Sequence, residues 1–418
     1  MATLGTSLKV GIFLGVRQLK RASRWTTGLI VFIMTLTFLN LVVVSGILIG
    51  LIVGGNNANR EQYTGDVIMT TLSGKPDIAK SQDIIATMKA DNTVADYSYR
   101  FLSGGAVEAN YKTRSDFNTK ADTAATQLAG IDPIREDNFS NISKYVIEGD
   151  YLDPNESGYV VLGANLLRRF SSSFGDGFDS LDGTYPGDKV KITVNGKTQE
   201  FTVKGIVKSK VGEVSIRAFI TEGDFLRLTD RGSLNVNEIA LRHTAQITDD
   251  ESKAIFVKNG FDQFTKIQTA TEAIPDFLNQ IKLAFGVLGN MIGAIGIVVA
   301  SITIFIVIFI NAVTRRKFIG IMKGIGVSSL AIQISYLLQS FFYAVLGSLL
   351  GTIILYGVLV PLVAKHPINF PFSDGILVAE PSGTLIRIIL LLIVTLIAGF
   401  IPARMIVRKN TLDSILGR

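Results

Sequence analysis

Long apolar stretches alternate with polar ones along this 418-residue chain. Four of them, residues 26–55, 284–313, 330–364 and 384–405, are almost without charge. An α-helix rises about 1.5 Å per residue, so each stretch is long enough to cross the roughly 30 Å hydrocarbon core of a bilayer. The pattern therefore predicts an α-helical membrane protein with four transmembrane helices.

Basic residues flank these stretches and predict their orientation. They are Lys9, Arg17, Lys20, Arg21 and Arg24 before the first stretch, Arg315, Arg316 and Lys317 after the second, and Arg404, Arg408, Lys409 and Arg418 at the end of the last stretch and beyond it. Lysine and arginine accumulate on the cytoplasmic side of membrane helices. We therefore expect both termini, an amphipathic segment at residues 1–25 and a tail at residues 406–418, in the cytoplasm, with a short external loop at residues 365–383.

Residues 56–283, between the first two apolar stretches, have the composition of a soluble α+β domain. Strand-helix-strand patterns at about residues 60–109 and 218–270 predict a ferredoxin-like porter part split by a β-rich insertion at about residues 110–217. Asn195-Gly196 between two alternating strands is a strong hairpin signal. Residues 271–283 predict a helical stalk that leads into the second span. The orientation places this whole domain outside the cytoplasm.

Residues 314–329, between the second and third spans, predict a short amphipathic helix on the cytoplasmic side. Phe318, Ile321, Met322 and Ile325 share one face at helical spacing. Two interpretations stay open: the helix lies on anionic lipid, anchored by Arg315, Arg316 and Lys317, or its apolar face docks into a groove on a cytoplasmic partner. Gly324 and Gly326 are candidate hinge positions.

Composition narrows the candidate chemistry further. The chain is 48% hydrophobic, carries a net charge of +6 and has no cysteine and two histidines. Thiolate and multi-histidine metal sites are therefore excluded, and we expect no metal. The basic residues cluster at membrane flanks, which argues against nucleic acid. No phosphate-binding loop and no catalytic constellation stands out, so an enzyme is not expected. Arg387 lies inside the fourth span, either snorkelling to the surface or lining a substrate path.

Several segments, taken in order, resemble the FtsX-like permeases of ABC transporters with a MacB-like periplasmic core domain. Residues 315–328 are similar to the family's Arg-Arg-x-Glu-Ile-Gly segment, with Phe318 where glutamate is usual and Gly324 where alanine is usual. The closing pattern of the family resembles Pro402-Ala403-Arg404 and residues 412–416. Residues 160–163, 186–188 and 201–207 are similar to the core-domain signature.

The resemblance implies a permease subunit that works as a dimer of identical or different chains. Each subunit would engage a separate ATPase subunit, which holds ATP and magnesium, through a coupling helix whose docking face is Phe318, Ile321, Met322 and Ile325. ATP hydrolysis would move the stalk and the external domain for export or extraction of a peptide, drug, lipid or lipoprotein, with an extracytoplasmic partner protein in some members. The alternative is a non-transporting membrane protein that transmits signals or force to a cell-envelope enzyme.

Overall fold

The computed structural model describes residues 4–112, 121–171, 179–274 and 276–408. The chain divides into two compact units. The membrane unit combines the described residues up to Leu51 with Gln280–Ile368 and those from Gly375 onward, and the external domain combines Ile52–Asn279 with Asn369–Asp374.

The helices and strands of both units alternate along the chain. The helices are α1 (Leu4–Lys20), α2 (Arg24–Asn59), α3 (Ser81–Ala90), α4 (Pro133–Ser140), α5 (Arg168–Ser171), α6 (Gly212–Ser215), α7 (Glu222–Thr229), α8 (Asp249–Lys258), α9 (Asp276–Thr314), α10 (Arg316–Gly324), α11 (Ser329–Ile354), α12 (Val360–Lys365) and α13 (Pro381–Val407). The strands are β1 (Val67–Thr71), β2 (Val94–Ala109), β3 (Asp122–Ile131), β4 (Val146–Gly149), β5 (Tyr159–Gly163), β6 (Lys189–Val194), β7 (Lys197–Val207), β8 (Arg217–Thr221), β9 (Glu238–His243), β10 (Thr265–Thr269), β11 (Ile368–Phe370) and β12 (Ser373–Gly375). π-Helical turns follow α2 at Arg60–Thr64 and α11 at Leu355–Leu359.

Among the described residues, four helical segments are long and apolar enough to span a membrane, as the sequence predicts. They are Arg24–Thr64, Gln280–Thr314, Ser329–Lys365 and Pro381–Val407. The first runs past the predicted boundary at residue 55, because Asn56 to Asn59 continue the helix. The segment ends in the π-helical turn before Gly65, whose φ of 63° favours glycine.

Small residues set the close packing inside the membrane unit. A Cβ on Gly347 of α11 would lie 2.4 Å from Cβ of Met34, and one on Gly351 would lie 2.3 Å from the ring of Phe38. Met34 and Phe38 of α2 are fully buried there. The four-residue spacing of the two glycines thus lets α2 and α11 approach each other, since larger side chains would hold the backbones apart.

Four strands at one end of the sheet in the external domain are antiparallel and lie in the order β10-β1-β9-β2. This is the order of a ferredoxin-like unit, with α3 and α8 as its two crossover helices. Val67 pairs with Leu241 and Met69 with Ile239 across β1 and β9. These side chains alternate with period two, so all four point into the same buried core.

β2 joins the two parts of the sheet, because it runs as one strand from Val94 to Ala109. Its second half pairs with β3, and β8, β5, β7 and β4 follow in that order. β6 and β7 form the predicted hairpin, with Asn195 and Gly196 at φ values of 50° and 79°. Both residues therefore adopt the left-handed conformation that this two-residue turn requires.

The predicted stalk begins later than the sequence pattern indicates. Residues 271–274 form a turn and a bend, and α9 starts at Asp276. From there α9 continues without a break to Thr314. The turn is held by Glu272, which accepts hydrogen bonds from the backbone nitrogen of Thr269 and from Lys253.

Candidate functional site

The predicted coupling helix forms as α10, and its apolar residues divide between two environments. Phe318, Ile321 and Ile325 are 67%, 51% and 76% exposed. Met322 is half-buried and packs against the membrane core, and Ile319, which sequence reasoning did not select, is fully buried there. The exposed apolar surface of the segment, called here the α10 face, therefore consists of Phe318, Ile321 and Ile325.

Contacts at the carboxyl end of α10 hold this helix in place. Lys323 donates a hydrogen bond of 3.1 Å to the carbonyl oxygen of Val407, at the end of α13. A lysine at this position also interacts favourably with the negative end of the helix dipole. Gly326 has a φ of 93°, and Val327 donates its backbone N–H to Met322. This is a glycine-dependent helix stop, so Gly326 has a specific backbone role.

Arg315 and Arg316 are half-buried and Lys317 is exposed. Gly324 is the last residue of α10. The roles of these residues as membrane anchors and hinge stay predictions. Residues 412–416 of the closing motif lie outside the described residues.

A buried ionic network, which the sequence did not reveal, lies inside the external domain. Its members are Tyr63 of the π-helical turn, Arg100 of β2, Glu136 of α4, Arg217 of β8 and Glu238 of β9, each at most 9% exposed. Two guanidinium groups and two carboxylates balance each other in charge. The sequence does place single charged residues at inward positions of predicted strands. One such residue does not identify its partners, so the network could not be predicted from it.

Two bidentate ion pairs form the frame of this network. Arg217 donates to Glu238 at 2.8 and 3.0 Å, and Arg100 donates to Glu136 at 2.6 and 2.9 Å. Burial by itself raises the pKa of Glu238, but Arg217 and Arg100 lower it to about 2. Glu238 is therefore ionised over the whole physiological range.

Tyr63 connects the end of the first spanning helix to these pairs. Its hydroxyl donates to Glu238 at 2.6 Å, and its carbonyl oxygen accepts from Arg100 at 3.1 Å. The guanidinium carbons of Arg100 and Arg217 both lie 5.0 Å from the centre of its ring. Both cations are thus within the distance at which an aromatic ring attracts a guanidinium group. The side chain and the carbonyl oxygen of Tyr63 thus both connect the π-helical turn to the sheet.

Asp66, His243 and Asp249 form a cluster whose ligand atoms lie within 4.8 Å of one another. Arg60 donates to Asp66 at 2.7 Å and to Asp249 at 2.9 Å. Its positive charge already occupies the position where a metal cation would be stabilised, so this donor set does not fit a metal site. Burial by itself lowers the pKa of His243. The hydrogen bond to the carbonyl oxygen of Thr244 and the carboxylates of Asp249 and Asp66 outweigh this effect, so the pKa is raised overall.

A further set of contacts in the external domain links the loop after β7 to the segment Asn369–Asp374. Lys210 donates to the carbonyl oxygen of Phe370 at 2.7 Å and lies 3.3 Å from the Asp374 carboxylate. Ser209 next to it donates to Gln62 at 2.7 Å. A Cβ on Gly54 would lie 2.4 Å from the Asp374 carbonyl oxygen. The loop therefore holds the helix end and the short segment together.

Taken together, the four apolar helices and the folded domain inserted after the first of them define a multi-pass membrane protein with a large extracytoplasmic domain. Residues 290–411 match the family described as FtsX-like permease C-terminal. The similarity to the FtsX-like permeases is therefore a property of this segment, which holds most of the last three spans.

Two curated relatives are ABC transporter permeases. The chain is 26% identical to the ABC transporter permease YtrF of Bacillus subtilis over 243 residues, which is 52% of each protein. It is 24% identical over 281 residues to an uncharacterized ABC transporter permease of Methanocaldococcus jannaschii, which is 65% of each protein. The chain thus spans between about half and two thirds of the length of these relatives.

Two solved structures also resemble the chain. The periplasmic region of MacB from Actinobacillus actinomycetemcomitans aligns with a TM-score of 0.36 and 15% identity, over 53% of this chain and 94% of that one. The extracellular domain of the noncanonic ABC-type transporter YknZ from Gram-positive bacteria aligns with a TM-score of 0.32 and 12% identity, over 49% of this chain and 99% of that one.

Proposed function

We propose that this chain is the permease subunit of an ABC transporter, which couples ATP hydrolysis by a separate ATPase subunit to movement of its extracytoplasmic domain. A dimer of permease subunits would bind two ATPase subunits, which hold ATP and magnesium. The movement would serve export or extraction of a peptide, drug, lipid or lipoprotein. The match of residues 290–411 to the FtsX-like permeases and the two curated permease relatives support this proposal.

The observation that carries the proposal is the α10 face. Phe318, Ile321 and Ile325 are exposed although each is large and apolar. The neighbouring residues 315–317 are basic, which favours the cytoplasmic side. A short helix with an exposed apolar face at this position fits a groove on a soluble partner, by the helix-in-groove mode.

The continuous helix α9 supports the coupling step. It runs over 39 residues, from Asp276 to Thr314. Its first residue closely follows the last strand of the external domain in sequence, and only Arg315 separates its end from α10. A single helix with all backbone hydrogen bonds in place is stiff along its axis. A displacement imposed on α10 by the ATPase can therefore reach the other end of α9 without passing through a flexible linker.

Truncation of the α10 face tests this function. Burial of a large apolar side chain contributes roughly 1.5–3 kcal/mol, so Phe318→Ala/Ile321→Ala should weaken binding of the proposed ATPase subunit at least about tenfold. Met322 is left unchanged because it packs inside the chain's own core. Binding is measured by titration of the purified ATPase against the full chain in nanodiscs.

The matched control is Ile393→Ala/Ile397→Ala on α13, which removes two side chains of similar exposure, 51% and 57%, from the middle of a span. We expect this control to bind the ATPase like the unchanged chain. If the α10 variant also binds normally, the helix lies on lipid and the docking role is wrong.

A further inference from the structure

Arg387 is a charged residue in the first half of α13 that the proposed function does not use. Its side chain is half-buried, and its Nη2 donates a hydrogen bond of 2.7 Å to the hydroxyl of Ser45 on α2. Serine is a neutral acceptor, so it does not balance the charge. Among the described residues, no carboxylate oxygen lies within 4.0 Å of this guanidinium. A cation in a span without an acidic partner is a functional candidate.

The height of this guanidinium along α13 follows from its contact with Gly383. A Cβ on Gly383, one turn earlier, would lie 3.2 Å from Nη1 of Arg387. The side chain therefore folds back toward the amino end of the helix, the direction in which helical Cα–Cβ bonds tilt. That end follows the segment Asn369–Asp374, which belongs to the external domain. The charge is thus carried toward the outer surface of the membrane.

Two hydroxyl groups mark the polar boundary at the same height. Tyr356, in the π-helical turn after α11, donates to the carbonyl oxygen of Ala379 at 3.1 Å and lies 3.0 Å from the hydroxyl oxygen of Thr384. Tyrosine is enriched where head groups meet the hydrocarbon region. π-Helical turns inside long helices also occur frequently at functional sites. The guanidinium of Arg387 therefore lies near the level of lipid head groups.

The surroundings indicate that a ligand reaches this position from the bilayer. Leu385 and Ile386, beside Arg387 on α13, are 57% and 66% exposed, and both are apolar. Among the described residues no side chain caps the first turn of α13, so its backbone N–H groups add to the positive field. A ligand with an anionic head and an apolar tail satisfies both features.

We propose that Arg387, with Ser45 beside it, binds the phosphate-bearing head group of an outer-leaflet lipid where α13 meets α2. A guanidinium offers five N–H donors in a planar fork, which matches a phosphate in a bidentate manner. Ser45 accepts from one of these donors and keeps the fork oriented. This site rests on the membrane unit alone and does not depend on an ATPase.

The test titrates phosphatidylglycerol against the purified full chain and counts bound lipid by native mass spectrometry. The Arg387→Gln variant should bind phosphatidylglycerol at least about tenfold more weakly, because it loses the charge-assisted bidentate hydrogen bonds to the phosphate. Arg387→Lys keeps the charge without the fork and should show an intermediate loss. The control Lys365→Gln removes an exposed cation at the end of α12 and should leave lipid binding unchanged.

A competition on the unchanged chain keeps the result independent of whether the variants fold. Inorganic phosphate in millimolar amounts should not displace the lipid, because it lacks the apolar tail. Equal binding by the Arg387 variants and the Lys365 variant would overturn the site. Displacement of the lipid by inorganic phosphate would overturn the lipid assignment and give the site to a free anion.

Discussion

At the scale of single residues, the buried ion pairs around Tyr63 make the external domain sensitive to substitution. Arg217 and Glu238 are 3% and 7% exposed in their side chains, and each neutralises the other. Removal of one partner leaves a charge in a medium of low dielectric constant, where it is poorly solvated. The pair is therefore needed as a unit, although its net contribution to stability is small.

Arg217→Met should lower the free energy of unfolding of the external domain by about 3–5 kcal/mol, because it leaves Glu238 without its main partner. The control Lys189→Met breaks the exposed pair with Glu200 and should change the stability little, because water screens this pair. Unfolding of the full chain is followed by circular dichroism. In the double variant Arg217→Met/Glu238→Leu, part of the loss should return. Equal melting of both single variants contradicts this role.

The same pair predicts a dependence on acid. The pKa of Glu238 is lowered from 4.5 to about 2, so the folded protein holds its carboxylate more firmly ionised than the unfolded chain does. Its contribution is therefore fully present above pH 4.5 and is lost as the pH falls toward 2. We expect Glu238→Gln to reduce the slope of stability against pH in this interval.

At the scale of elements, the loop after β7 contacts the segment Asn369–Asp374 through Lys210. Lys210 makes its contacts with backbone and side-chain oxygens of this segment, and it is 20% exposed. Strands β11 and β12 have three residues each, too few to be stable without outside contacts. Lys210 therefore supplies contacts that help to order them.

Lys210→Met should speed amide hydrogen exchange in residues 369–375 by roughly tenfold, because a hydrogen bond from a charged group contributes about 1.5–3 kcal/mol. The full chain in nanodiscs is measured by mass spectrometry. Lys208→Met, two residues earlier, is the control, since the side chain of Lys208 lies against Phe170 instead. Similar exchange in both variants would show that another contact orders the segment.

At the scale of the whole molecule, the orientation in the membrane follows from the basic flanks. The chain has no cysteine, so a single introduced thiol reports its own position. Asn155→Cys, exposed in the external domain, should react with a membrane-impermeant thiol reagent on intact cells. Lys317→Cys, exposed in the first turn of α10, should react only after the cells are permeabilised. The reverse result would contradict the assignment of both termini to the cytoplasm.

The sequence by itself determined the features that depend on neighbouring residues. The four spans follow from the length of the apolar stretches, and the β6–β7 hairpin follows from Asn195-Gly196, since few residues adopt its left-handed backbone. The strand-helix-strand patterns around β1 and β9 also predicted both halves of the ferredoxin-like sheet. Each of these signals is local, and each is compatible with few backbone conformations.

Only the tertiary structure decided which distant residues meet. Tyr63 and Glu238 are 175 positions apart and hydrogen-bonded, and no periodicity along the chain encodes that contact. The packing of Met322 into the core, with Ile321 left exposed, depends on where α10 rests beside α13. Both residues satisfy the same helical pattern. Amphipathic spacing specifies which side chains share a face, and only the neighbouring helices specify how much of that face is covered.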